Sequence, residues 1–292
     1  MSNSAPRGAL AAAFAFFIWG LFPLYWKLLG HVPPLQVLAH RGLWCAVAVW
    51  AVLLLRGDFA WVAQVTARQL RVLAVGGVLI SCNWGVYVWA VVNDHVLDTS
   101  LGYFMSPLVN VLLAVVVLHE RLTGAQRVAV AIAACGVALL AWQVGHPPWV
   151  ALGLALSFGL YGLVRKLVAI DPVQGLAIES GLMAVPALAY VLWCAAAGQG
   201  HFLAGSTGND VLLLVGGPVT AIPLVLFAYA AQRVSMLTLG LMQYIVPTLV
   251  LLLGLWVYHE PFGGMRAIAF GCIWAALAVF SGEALWRAQR AR

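Results

Sequence analysis

The side chains of this chain that could do chemistry sit where charge is costly. His40 and Arg41 adjoin in "LAHRGLWCAV", well inside an apolar run. Glu179 lies in "AIESGLMAVP" and, apart from Glu283 near the C-terminus, is the only carboxylate plainly inside such a run. An isolated charge at the centre of a lipid-facing helix costs roughly 2.5–3.5 kcal/mol, so each must find water, a partner or a ligand. Arg41 has two readings: it snorkels to the headgroups, or it faces a bundle interior where, with Lys27 nearby, it anchors a carboxylate. His40 points about 100° away on a helix and need not share that role. Glu179 is either a proton carrier or a shallow partner of Arg165 or Lys166.

Uncharged polar residues recur at helical spacing. Asn83 and Tyr87 are four apart, Tyr103, Ser106 and Asn110 follow at steps of three and four, and Gln243, Tyr244 and Thr248 surround Pro247. Each set marks one helix face. Such faces either bind a polar molecule or stitch helices together, at about 0.6–2 kcal/mol per hydrogen bond. Trp19, Trp26, Trp84 and Tyr161 would make the first reading an amphipathic cavity near the midplane, the second a set of packing or interface residues. Pro23, Pro107, Pro186, Pro223 and Pro247 lie inside apolar runs and predict kinks.

The elements that position these residues are membrane spans. Of 292 residues, 64% are hydrophobic and 8% charged, where a soluble domain carries about 25% charged residues. Ten apolar runs are long enough to cross a core of about 30 Å: 8–29, 35–55, 71–92, 100–118, 125–143, 149–170, 176–197, 211–231, 238–257 and 265–286. The first is too long and aromatic for a signal peptide and is expected in the mature protein. The longest connections, 56–70 and 198–210, are too short for a soluble domain. Cys45, Cys82, Cys135, Cys194 and Cys272 all fall inside runs. With no CxxC or His-rich spacing, no disulfide framework and no metal site is expected. The net charge of +6 is spread over short loops rather than gathered in a patch, so no nucleic-acid partner is expected. No cofactor is implied, and no GxxxxGK[ST] motif supplies an ATP site.

All Lys and Arg except Lys27, Arg41 and Arg266 fall at the two ends of the chain or in alternate connections. By the positive-inside rule both termini are cytoplasmic. The chain also repeats itself: "SPLVNVLLAVVVLHERLTGAQ" (106–126) can be laid on "VPTLVLLLGLWVYHEPFGGMR" (246–266), matching Pro107 with Pro247, His119-Glu120 with His259-Glu260 and Gly124 with Gly264. The chain reads as two five-helix halves, 1–146 and 147–292. Five is odd, so the halves have opposite orientation, an arrangement common in secondary transporters. The two glutamates read as structural residues at helix ends, the first just before a capping box, Thr123-Gly-Ala-Gln126.

His40-Arg41, "NWGVYVWAVVN" (83–93), "SLGYFMSPLVNVLL" (100–113), "LSFGLYGLVRK" (156–166), Glu179 and "LGLMQYIVPTL" (239–249) together resemble the RarD group of EamA-type permeases in the drug/metabolite transporter superfamily. Relatives usually have Gly-Glu where this chain has His-Glu. The resemblance implies an all-α integral membrane protein, ten helices in two inverted repeats around a central cavity in a bacterial inner membrane. It implies export of small metabolites or drugs, amino-acid-like or chloramphenicol-like, by one half rocking against the other. Uptake of amino acids, vitamins or nucleosides is the alternative. The expected substrate contacts are Trp19, His40, Arg41, Asn83, Tyr87, Tyr103, Asn110, Tyr161, Gln243 and Tyr244, with Glu179 as the candidate for proton coupling. An enzyme is not expected, because His40 and Glu179 fall near opposite halves of the bilayer. Monomer and homodimer both stay open.

Overall fold

The structure is a computed structural model describing residues 4–57, 59–257, 259 and 263–290, and the side chains of residues 4, 96, 266 and 284–290 lie outside that description. Glu260 and Arg292 therefore fall outside the described residues, as do the side chains of Arg266, Arg287 and Arg290. Among the described residues there are twelve helices and no strand. They are α1 (Ser4–Leu28), α2 (Pro34–Arg56), α3 (Ala60–Gln64), α4 (Ala67–Val92), α5 (Val96–Val116), α6 (Gly124–Val144), α7 (Trp149–Leu167), α8 (Pro172–Ala196), α9 (Thr207–Ala231), α10 (Met236–Met242), α11 (Ile245–Trp256) and α12 (Gly264–Arg290). Among the described residues nine stretches are long and apolar enough to cross a membrane, one of them α10 and α11 together; α12 adds the apolar Ala267–Glu283.

Helices α1, α4, α5, α8 and α9 each begin four residues before the apolar run that announced them. At three of these starts a side chain fixes the first turn. Thr66 and Gln69 form a capping box on α4, Asp171 accepts from the Val173 and Gln174 amides of α8, and Ser206 accepts from the Asn209 amide of α9. Orphan amides at a helix start need such acceptors, and polar caps lie outside any apolar window. The expected box at Thr123–Gln126 is present on α6, and Thr123 also donates to Glu283 at 2.8 Å. Glu120 accepts from the Met236 and Leu237 amides and so holds the start of α10, as a structural reading requires.

Two features add detail to the expected segments. The ninth span is broken at Gln243 and Tyr244, because Pro247 has no N–H for the Gln243 carbonyl four residues back. The loop at 56–70 contains α3, which buries Trp61 beside Trp50 at 6.3 Å. His119 and His259 both adopt left-handed backbone, φ 54° and 52°, a conformation that favours the glycine usual there in relatives.

The main packing joins the two halves of the chain. Helix α1 packs on α9 and α11, α2 on α8 and α9, α4 on α7 and α8, α5 on α7 and α10, and α6 on α12. Gly217 of α9 lies against the Trp44 backbone of α2, where no Cβ would fit, the close approach that small residues give membrane helices. Rocking of residues 1–146 as one body against 147–292 would part all these interfaces at once.

Candidate functional site

Helices α2 and α4 each turn one stripe toward a shared gap. On α2 it is Pro34, Val37, Leu38 and Arg41; on α4 it is Trp84, Tyr87, Val88 and Val91. Both follow the i, i+3, i+4, i+7 spacing of a single helix face. Trp26 near the end of α1, with Leu29, Gly30 and Val32 just beyond it, completes the wall around about 290 Å³. The lining of this cavity comes from the last turns of α1 and α4 and the first turns of α2, the ends of those helices away from Ala5, Ala67 and Arg56.

Arg41 is its charged wall. Its guanidinium carbon lies 4.2 Å from the centre of the Trp84 ring and 4.8 Å from that of Trp26, and its Nε donates to Thr220 of α9 at 3.1 Å. Cation–π contacts of this kind contribute about 0.5–2 kcal/mol each. The bond to Thr220 turns the side chain toward α9. Among the described residues no carboxylate pairs with Arg41. Tyr87 lines the cavity, and Tyr103 packs edge-on to it at 6.3 Å.

The remaining expected contacts lie elsewhere. His40 is buried, accepts from the Trp44 indole at 3.2 Å and sits 5.2 Å from the Phe202 ring. The turn of one residue takes it off the cavity face. Asn83 donates to the Leu154 carbonyl and to Ser157, tying α4 to α7. Asn110 donates to Gln243 at 2.6 Å, so the broken ninth span is fastened to α5. Tyr244 is buried and donates to the Phe104 carbonyl, and Trp19 packs among Phe16, Phe158 and Phe227. All of these hold the bundle together in this conformation. Trp26 and Trp84, named from the sequence among the aromatics of a candidate cavity but not among the expected substrate contacts, both line it.

Tyr161 and Glu179 belong to a second, buried cluster. Arg165 Nη1 lies 3.3 Å from Glu179 Oε1, Tyr161 donates to Glu179 Oε2 at 3.2 Å, and Arg165 Nη2 donates to the Pro172 carbonyl at 3.0 Å. All three side chains are buried. Glu179 is the eighth residue of α8. That places it about 10 Å along the helix, so its pairing with Arg165 is deep rather than shallow. Glycines make the room: a Cβ at Gly175 would collide with Arg165, and one at Gly76 would come within 2.7 Å of Glu179. A void of about 10 Å³ lies between Glu179 and Trp84, which also lines the large cavity. It has room for one water.

On the terminus side the ends of α7 and α9 are tied together. Lys166 donates to the carbonyls of Ala231 and Val234 at 3.2 and 2.6 Å, and Gln232 donates to those of Val168 and Ile170. These bonds close the end of α7 onto the end of α9. The site is thus a pocket with one open face, an aromatic frame and a cation that no described carboxylate neutralises. Among the described residues it holds no cluster of groups suited to bond-breaking chemistry.

Residues 6–142 match the EamA-like transporter family. Protein RarD of Streptomyces exfoliatus is 42% identical over 292 residues, spanning 99% of this chain and 93% of that protein. The uncharacterized transporter YojE of Bacillus subtilis (strain 168) is 44% identical over 290 residues, 96% of each chain. One solved crystal structure, 20% identical, superposes with a TM-score of 0.71 over 95% of this chain and 98% of its own, a likeness of fold.

Proposed function

The chain belongs to the RarD group of EamA-like transporters, and from that membership we propose that it moves small amphipathic molecules bearing a carboxylate or similar acceptor, outward across a bacterial inner membrane. It is a multi-pass membrane transporter and not an enzyme. Both termini are assigned to the cytoplasm by the distribution of Lys and Arg, which makes the cavity outward-facing. Residues 1–146 and 147–292 are assigned as inverted repeats. The pairing of helices supports this, because exchanging halves turns the α1–α9 contact into α7–α4 and α2–α9 into α8–α4.

The observation that carries the substrate class is Arg41, framed by Trp26 and Trp84 on the cavity wall with no described carboxylate of its own. A planar guanidinium binds carboxylate with two parallel hydrogen bonds, and the indoles offer flat contact to an apolar or aromatic body. Amino-acid-like and chloramphenicol-like molecules are the classes to try first. Alternating access then needs the Lys166 and Gln232 bonds to open as the gap between α2 and α4 closes. Glu179 is assigned to holding α7 against α8 rather than to carrying a proton, since Arg165 and Tyr161 already occupy its oxygens. The test is a thermal-shift screen of amino acids, vitamins and antibiotics on purified protein, then flux of the hits in proteoliposomes. Hits should be lost in Arg41→Ala and partly kept in Arg41→Lys; binding and flux indifferent to both would refute the assignment.

An uptake permease is the second reading, because a cavity open on the outer face is also where an importer would load. Flux measured in both directions across the same vesicles separates the two.

A further inference from the structure

We propose that His95, Asp98 and His146 form a binding site for a divalent transition-metal ion, zinc being the probe of choice, on the face opposite the termini. The three come from two separate connections: His95 caps α5, Asp98 is in its first turn, and His146 lies between α6 and α7. His95 Nδ1 lies 3.1 Å and His146 Nε2 3.6 Å from the same Asp98 oxygen, Oδ2, and all three ligand atoms fall within 4.8 Å of one another. A tetrahedral ion with bonds of about 2.0–2.1 Å holds its ligand atoms about 3.3 Å apart, so two of the three separations already bracket the required value. The third closes by a rotation of imidazoles that are 41% and 50% exposed.

A plainer account gives Asp98 to the positive end of α5 and to His95 alone. It leaves two observations over. The Asp98 side chain is 3% exposed, aims between the imidazoles, and has a buried Oδ1 with no hydrogen-bond partner; an ion chelated by both oxygens would satisfy it. His146 Nδ1 lies 3.2 Å from the Pro147 carbonyl. Donation there leaves Nε2 with its lone pair toward Asp98, the pattern in which metal-bound histidines are held by a carbonyl behind them. Trp89 stacks on His95 at 5.3 Å and 14° and orients that ring. Two imidazoles and one carboxylate suit zinc, nickel or cobalt rather than magnesium or calcium, with the fourth position taken by Asp98 Oδ1 or by water. An ion here would clip the start of α5 to the connection between α6 and α7, next to the end of α4, whose Trp89 stacks on His95 and whose Val88 and Val91 form the cavity wall.

The experiment is calorimetric titration of ZnCl2 into the purified full-length protein after removal of any histidine tag. One zinc ion per chain is expected. Supporting partners of a metal site alone contribute about 10- to 100-fold in affinity, so loss of a direct ligand in His146→Ala should weaken binding at least tenfold. Because His146 is half-exposed, that variant should melt like the wild type in EDTA and lose only the zinc-induced rise in melting temperature. Asp98→Asn should weaken binding as well, and His31→Ala, an exposed histidine on the same face, should not. No one-to-one binding, or unchanged affinity in His146→Ala, would overturn the proposal.

Discussion

If Glu179 is there to neutralise Arg165, Glu179→Gln should destabilise the protein by about 3 kcal/mol, the low end for losing one member of a buried pair. At 3.3 Å and an effective dielectric of about 20, the attraction is about 5 kcal/mol, part of it offset by desolvation. Breaking a buried pair by removing one charge typically costs about 3–5 kcal/mol, because the survivor has no partner. Arg165 is fully buried and its other bond, to the Pro172 carbonyl, cannot replace a countercharge. A loss of about 3 kcal/mol is roughly a hundredfold in the folding equilibrium. Removing both charges in Arg165→Met with Glu179→Leu should be milder than either single change, since apolar replacements of buried pairs are often neutral. The assay is unfolding in detergent by graded SDS, with wild type, Arg165→Met, Glu179→Leu and the double variant compared as a double-mutant cycle and Glu179→Gln measured beside them. Equal stability of Glu179→Gln and the wild type, or strict additivity of the two single changes, would refute the pair as structural. A stable Glu179→Gln protein that loses flux driven by a pH gradient would identify a proton carrier instead.

Lys166→Met should loosen the closed side of the bundle, raising the rate at which a cysteine placed at buried Val168 reacts with an impermeant maleimide from the terminus side; an unchanged rate would mean that the Lys166 bonds do not hold that gate. His119→Gly relieves a left-handed residue and should raise stability by about 0.5–1 kcal/mol, whereas His119→Val should lower it, both read from melting temperatures. Thr123→Ala removes the cap of α6 and a bond to Glu283, and should cost about 1 kcal/mol in the same measurement.

A good deal of this architecture was written into the chain. Runs of apolar residues located every span, because the length that crosses a bilayer is set by its thickness. The Thr123–Gln126 box foretold the start of α6, and Glu120 proved to be a helix-end residue, because caps are local chemistry. The whole-chain motifs were enough to recognise the RarD group. Local signals also explain the misses: starts set by Thr66, Asp171 and Ser206 fell outside the apolar windows, whereas Pro247 did announce the irregularity at Gln243.

What only the tertiary structure decided is the face to which each polar residue turns. His40 and Arg41 are neighbours, yet one is packed beside Trp44 and the other lines the cavity. Asn83 and Tyr87 share a helix side by spacing, but Asn83 bonds to α7 and Tyr87 borders the gap to α2. Asp98 meets His146 only because the α4–α5 and α6–α7 connections emerge side by side. In a soluble protein the hydrophobic period would have separated inside from outside. Here lipid and helix core are equally apolar, so hydropathy fixes which segments enter the bilayer, while the direction each face takes is settled by close packing and hydrogen bonding between helices.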